Sequence, residues 1–140
     1  MPRPVKVLFV CLHGSAKCVI AREHFSRLAL AAGLEVDASS AGLEPDDEIP
    51  PHVVRGLAQD GLVISEGAPR PVTVSNLAEA DLIVSLGCEA PGAAGSAVVE
   101  RWDDLPAVSD GYEPARDAIV SRLRTLLAAR LSGWAGVGRD

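Results

Sequence analysis

The chemistry in this chain concentrates in the eight residues from Cys11 to Cys18, which read CLHGSAKC. They follow the apolar run Val7-Leu8-Phe9-Val10 and lead into a helical pattern from about Lys17. A loop of small residues between a buried strand and a helix turns backbone N–H groups inward, and the helix dipole adds partial positive charge there. Both features favour an anion in the loop and a thiolate at its rim. Cys11 is therefore the candidate nucleophile, and the candidate oxyanion ligands are Leu12, His13, Gly14, Ser15, Ala16, Lys17 and Cys18. Plainer readings stand beside these: cysteine is commonly a small buried residue, and lysine is commonly solvated.

The elements that must position this loop follow from periodicity. Val5 to Cys11 is apolar on both faces, as in a central strand of a covered sheet. A helix is predicted over Lys17–Ala32, with Ile20, Ala21, Phe25, Leu28 and Ala32 inward and Arg22, Glu23, Ser26 and Arg27 outward. Gly33 is a natural stop. Leu34 to Ser39 alternates like a half-buried edge strand. Pro51 suits the first position of a helix over His52–Asp60, and Ser75 is the expected cap of a short helix over Asn76–Ala80.

Asp81–Leu86 and Val98–Trp102 read as a third and a fourth strand, with the Gly- and Ala-rich stretch from Gly87 to Ser96 as loop. Pro114 is expected to open a long helix whose stripe is Ile119, Leu123, Leu126, Leu127 and Leu131, with a loose tail from Gly133 to Asp140. Strands alternating with helices imply an α/β fold, a parallel sheet with helices on both faces. In such sheets ligands sit at the carboxyl ends of the strands. Cys11 ends the first strand, and Cys88 and Asp103 lie just past the third and fourth, so one mouth can gather all three.

Composition narrows the class. The 140 residues fit one domain, and the formal charge of −6 argues against nucleic acid as a partner. Three cysteines without paired spacing do not form a disulfide framework, which fits a reducing cytoplasm. No apolar run approaches the roughly 18 residues of a membrane span, and Met1-Pro2-Arg3-Pro4 runs straight into the first strand. The expectation is a cytoplasmic domain without a signal peptide. His24 and His52 lack ligand-spaced company, so both read as structural and no metal is expected. Asp46-Asp47-Glu48 reads as a solvated loop.

Val7 to Phe25, Ser40-Ala41-Gly42 and the segment from Trp102-Asp103 to the last helix resemble the low-molecular-weight protein tyrosine phosphatase family. Within it, the closer likeness is to the arsenate reductases that share its fold. The resemblance runs from about Val5 to Leu131 and implies a three-layer sandwich around a four-stranded parallel sheet. It implies a cysteine enzyme without a cofactor, either a phosphotyrosine phosphatase-like hydrolase or an arsenate reductase-like oxidoreductase. Cys11 would attack phosphorus or arsenic, and the partners would be phosphate, sulfate or arsenate-type oxyanions, with a phosphoprotein substrate or a thiol reductant.

The departures from the family pattern are specific. The family's Cys-x5-Arg-Ser ends here in Lys17-Cys18, and its Gly-Asn reads His13-Gly14. Lysine keeps the charge of the clamp without the planar fork of arginine. The hydroxyl that donates to the nucleophilic sulfur is replaced by the Cys18 thiol, a weaker donor. The family's acidic Asp-Pro is absent, leaving Asp103 and Asp104 as candidates for the general acid and Asp110 as a weaker one. Cys18 and Cys88 are the candidate redox partners of Cys11. Two further readings stay open: an anion- or partner-binding protein without turnover, and a thiol redox protein using Cys11 and Cys18.

Overall fold

A computed structural model of the chain describes residues 4–64, 67–88 and 97–135. Strand β1 (Val5–Cys11) lies inside the sheet, as its two apolar faces require. Its neighbours are β2 (Val36–Gly42) on one side and β3 (Leu82–Leu86) on the other, with β4 (Val98–Trp102) beyond β3. All three pairings are parallel, in the order β2-β1-β3-β4. The register places Cys11 opposite Gly42, so β1 and β2 end together.

Alternation along β1 splits the core in two. Val5, Val7, Phe9 and Cys11 pack against α1 (Lys17–Ala31), α2 (Pro51–Gln59) and α4 (Tyr112–Ala135). Phe9 and Phe25 meet edge to face, with centroids 5.5 Å apart. Leu8 and Val10 face the other way, with Ile83, Ala80 and Cys88, under the short α3 (Val74–Glu79). Among the described residues, helices thus cover both faces of the four-stranded parallel sheet, α1, α2 and α4 on one side and α3 on the other. Among the described residues, no helix is long and apolar enough to cross a membrane.

Several boundaries differ from the sequence reading. β2 begins two residues later than Leu34 and runs on to Gly42, because pairing with β1 extends that far. Leu34 instead closes the end of α1, its N–H donating to the Ala29 carbonyl past Gly33. α3 is capped by Thr73 rather than Ser75. The Thr73 hydroxyl accepts from the Asn76 N–H, while the Asn76 side chain accepts from the Thr73 N–H. α4 starts at Tyr112, ahead of Pro114, and holds residues 133–135 in helix, with 136–140 outside the described residues. Of the Gly87–Ser96 loop, residues 89–96 also lie outside them.

The largest difference concerns α1. Arg22 and Glu23 were expected to face solvent, yet both are buried, as is His24, whereas Ala32 is exposed. The first two turns of α1 are covered all round, by β1, β2 and α4. Arg22 survives there because Ser40 Oγ and Glu23 Oε2 accept its guanidinium N–H groups, at 2.7 and 2.8 Å.

Candidate active site

The loop after β1 is held open by the chain that follows β2. The carbonyls of Cys11, Leu12 and His13 accept from the N–H groups of Leu43, Glu44 and Asp46, at 3.2, 2.7 and 2.9 Å. With those carbonyls turned outward, the following amides turn inward. The N–H groups of Gly14, Ala16 and Cys18 point at the Cys11 sulfur. Gly14 has φ +64°, and a Cβ there would lie 2.7 Å from the Gly42 backbone nitrogen. Only glycine permits that left-handed turn with two backbones in contact. No side chain caps α1 at Ala16, so the Cys11 sulfur takes the place a capping oxygen would fill.

The sulfur atoms of Cys11 and Cys18 stand 2.8 Å apart, within hydrogen-bond contact. The hydrogen bond from Cys18 is the largest influence on Cys11; with the loop amides it outweighs burial and lowers the thiol from 9.0 to about 6. Cys18 moves the opposite way, raised by burial and by the neighbouring thiolate. At neutral pH the charge therefore sits on Cys11 and the proton on Cys18.

Cys11 floors a cavity of about 320 Å³. The loop lines one side through Leu12, His13, Ser15, Ala16 and Lys17. Lys17 does not stretch into solvent: a Cβ at Gly87 (φ +73°) would lie 3.1 Å from its ammonium nitrogen, so the glycine makes room for the cation. The opposite walls come from Asp46, Pro50 and His52 and from Ala107, Val108 and Ser109. Ser15 Oγ donates to Asp46 Oδ2 at 2.8 Å, and His13 Nδ1 lies 3.5 Å from Asp46 Oδ1. Among the described residues no cluster of His, Cys, Asp and Glu is arranged to hold a metal ion.

Asp103 and Asp104, the general-acid candidates of the sequence reading, stand outside the cavity at Cys11. Asp103 accepts from Arg101 Nε at 2.9 Å, and Asp104 pairs with Arg122, whose guanidinium lies over the Trp102 ring. The Arg122 hydrogen bond holds the Asp104 carboxyl below its ordinary range. The loop after β4 does reach the cavity, but through Ala107, Val108 and Ser109, and the exposed Asp110 is not part of the lining.

Cys88 also stands apart from the expected mouth. It packs on the α3 side of the sheet, 3.2 Å from Ser85 Oγ, and burial raises its thiol. Asp46, His52 and Ser109 are polar residues of the cavity wall that the sequence reading does not place there: it takes Asp46 as part of a solvated loop and His52 as structural. The available signal was position: the segment after β2 leaves the sheet beside the end of β1, where ligands of such sheets gather.

A low-pKa cysteine in an amide-lined loop, at the carboxyl end of a parallel strand, is an arrangement in which a thiolate can meet a bound oxyanion. Residues 6–131 match the family model described as low molecular weight phosphotyrosine protein phosphatase, and the chain belongs to that family. It is 28% identical to an arsenate reductase of Halalkalibacterium halodurans over 138 residues, 95% of this chain and 96% of the relative. The crystal structure of an arsenate reductase from Archaeoglobus fulgidus aligns with TM-score 0.70 and 30% identity, over 87% of this chain and 98% of that one. The thioredoxin-dependent arsenate reductase of Corynebacterium glutamicum gives TM-score 0.77 and 29% identity over 94% of this chain. The chain spans 65% of that protein and 58% of a curated relative from Halobacterium salinarum.

Proposed function

We propose that this protein uses the Cys11 thiolate to attack the central atom of arsenate, with an external thiol completing its reduction to arsenite. The observation that carries the reading is the Cys11 sulfur itself: lowered to about 6 and ringed by the amides of Gly14, Ala16 and Cys18 on a cavity floor. The same amides would hold the equatorial oxygens, and Lys17 would add the balancing charge. Lysine lacks the bidentate grip of arginine, so charge rather than geometry is its contribution.

The leaving group favours arsenate over a phosphate monoester. An alkoxide or phenoxide needs a proton from a positioned acid, and Asp103 and Asp104 are tied to Arg101 and Arg122 away from the cavity. Arsenate loses hydroxide and carries ionisable protons of its own. Relatives along nearly the whole chain, 28% and 30% identical, are arsenate reductases. One observation keeps phosphate ester hydrolysis as a second reading: Asp46 lines the same cavity as Cys11 and could serve as the donor.

The test measures arsenite formation from arsenate with an excess of dithiol, beside hydrolysis of an aryl phosphate. Arsenite should form, and Cys11→Ser should abolish it; loss of a nucleophile costs on the order of 10⁶-fold in a serine protease. Aryl phosphate turnover without arsenite would overturn the proposal. Loss of that turnover in Asp46→Asn would then establish the second reading.

A further inference from the structure

We infer that Cys18 is the resolving thiol of this site, displacing whatever group the Cys11 sulfur carries and closing a disulfide inside the loop. With arsenate as that group, the inference rests on the proposed function. The two sulfurs are already 2.8 Å apart, so the approach to an S–S bond of about 2.05 Å is under 1 Å. Their placement suits displacement. Cys11 lines the cavity, whereas Cys18 does not and is fully buried in the core behind it. An incoming Cys18 sulfur therefore reaches Cys11 from the protein side, while arsenic would leave toward the cavity.

The third cysteine is poorly placed for this role. Cys88 packs with Leu8, Val10 and Ile83 on the face of the sheet opposite Cys11, its sulfur held by Ser85 Oγ and the Val10 carbonyl.

The atoms and electrons balance within the pair. The Cys11 thiolate forms an S–As bond as hydroxide leaves toward the cavity, where one of arsenate's own protons converts it to water; the Cys18 proton passes to the arsenyl oxygen left deprotonated. Bonding to arsenic also removes the negative charge that had kept Cys18 protonated, and the positive charge of Arg22 favours the new thiolate. The Cys18 thiolate then attacks Cys11 Sγ. The S–S bond forms, the S–As bond breaks, and its electron pair stays on arsenic, which becomes arsenite as the two thiols become a disulfide. An external dithiol reopens the disulfide by exchange.

The experiment is a single turnover on reduced protein after the reductant has been removed. Wild type and Cys88→Ser should each release one equivalent of arsenite and lose two thiols, mapped by peptide mass to a Cys11–Cys18 disulfide. Cys18→Ser should release none, although its Cys11 remains open to alkylation, which reports an intact loop. Arsenite from Cys18→Ser at the wild-type yield, or a disulfide to Cys88, would overturn the inference. A second arm uses hydrogen peroxide, which converts Cys11 to a sulfenic acid that Cys18 can displace as water. If wild type makes no arsenite even with dithiol, the arsenate reading fails; a peroxide-formed Cys11–Cys18 disulfide would still establish the resolving pair. Sulfinic acid on Cys11 beside a free Cys18 would overturn it.

Discussion

Two sets of buried polar side chains lie along α1, and they differ in what completes them. At its start, the Cys11 thiolate accepts from loop amides and from Cys18 on the protein side and opens onto a cavity on the other. Farther along, His24 Nε2 donates to Asp60 Oδ2 at 3.0 Å, and His24 Nδ1 accepts from Arg27 Nη2 at 3.0 Å. Tyr112 and Arg116 also donate to Asp60. Burial lowers the His24 pKa and fixes one neutral tautomer that can do both jobs. Burial works to raise Asp60, but the Tyr112 and His24 hydrogen bonds and the Arg116 charge carry it below its ordinary range. In the second set the hydrogen-bonding atoms of His24 and Asp60 are all taken by protein partners, and it joins α1, the end of α2 and α4 beside a cavity of about 490 Å³. The first is partnered only on its protein side, which leaves a place for a guest on the thiolate.

Breaking the Asp60 cluster should cost the most stability. Asp60→Ala removes the acceptor of three donors and should destabilise by about 1–3 kcal/mol, the cost of a part-buried donor left without its partner. Denaturant unfolding measures it, while the alkylation midpoint of Cys11 should stay near 6. A midpoint that moved with Asp60 would mean the two clusters are one network. Lys17→Ala should do the reverse, cutting arsenite formation by about 10²–10³, the cost of an oxyanion-hole donor. Its unfolding free energy should change by less than about 0.5 kcal/mol. An unchanged rate would remove Lys17 from the site.

A smaller effect is expected at Gly56, where an added Cβ would lie 2.5 Å from the Tyr112 ring. Alanine gains up to about 1 kcal/mol of helix propensity, but overpacking costs about 1–3 kcal/mol, so Gly56→Ala should lower the thermal midpoint. A rise would mean that the Tyr112 contact with Asp60 tolerates movement.

The gentlest probe is pH, because the two regions titrate in different windows. The unfolded chain protonates His24 near 6.5 while the fold keeps it neutral. Below 6.5 the unfolded state therefore binds more protons and stability falls on acidification. Cys11 acts higher: between about 6 and 9.0 the unfolded thiol keeps a proton that the fold has released, so stability rises with pH there. His24→Gln should flatten the lower slope and Cys11→Ser the upper one, read from denaturation midpoints across pH. Either substitution flattening both would erase the distinction.

What could be read without coordinates was local. β1, the turn at Gly14 and the start of α1 are contiguous, and their apolar run, small residues and helical period specify an anion loop with Cys11 at its rim. β4 fell at Val98–Trp102 for the same reason. The α3 cap was misread because its reciprocal partner is Asn76 rather than the glutamate of the usual pattern. The burial of Arg22 and Glu23 escaped because charge alone sends a side chain outward, whereas the Ser40 hydroxyl on β2 and the Glu23 carboxylate hold the Arg22 guanidinium inside.

The sequence by itself determined the order of strands and helices, the loop and the sulfur within it, since each depends on neighbours a few residues away. Tertiary structure alone decided which carboxylate lines the cavity above that sulfur and which thiol touches it. Asp46 reaches the cavity wall and Asp103 does not, because β2 ends beside β1 while Asp103 is drawn off by Arg101. Cys18 meets Cys11 because α1 starts over the face of the sheet on which Cys11 ends β1, whereas Cys88, just past β3, packs on the other face.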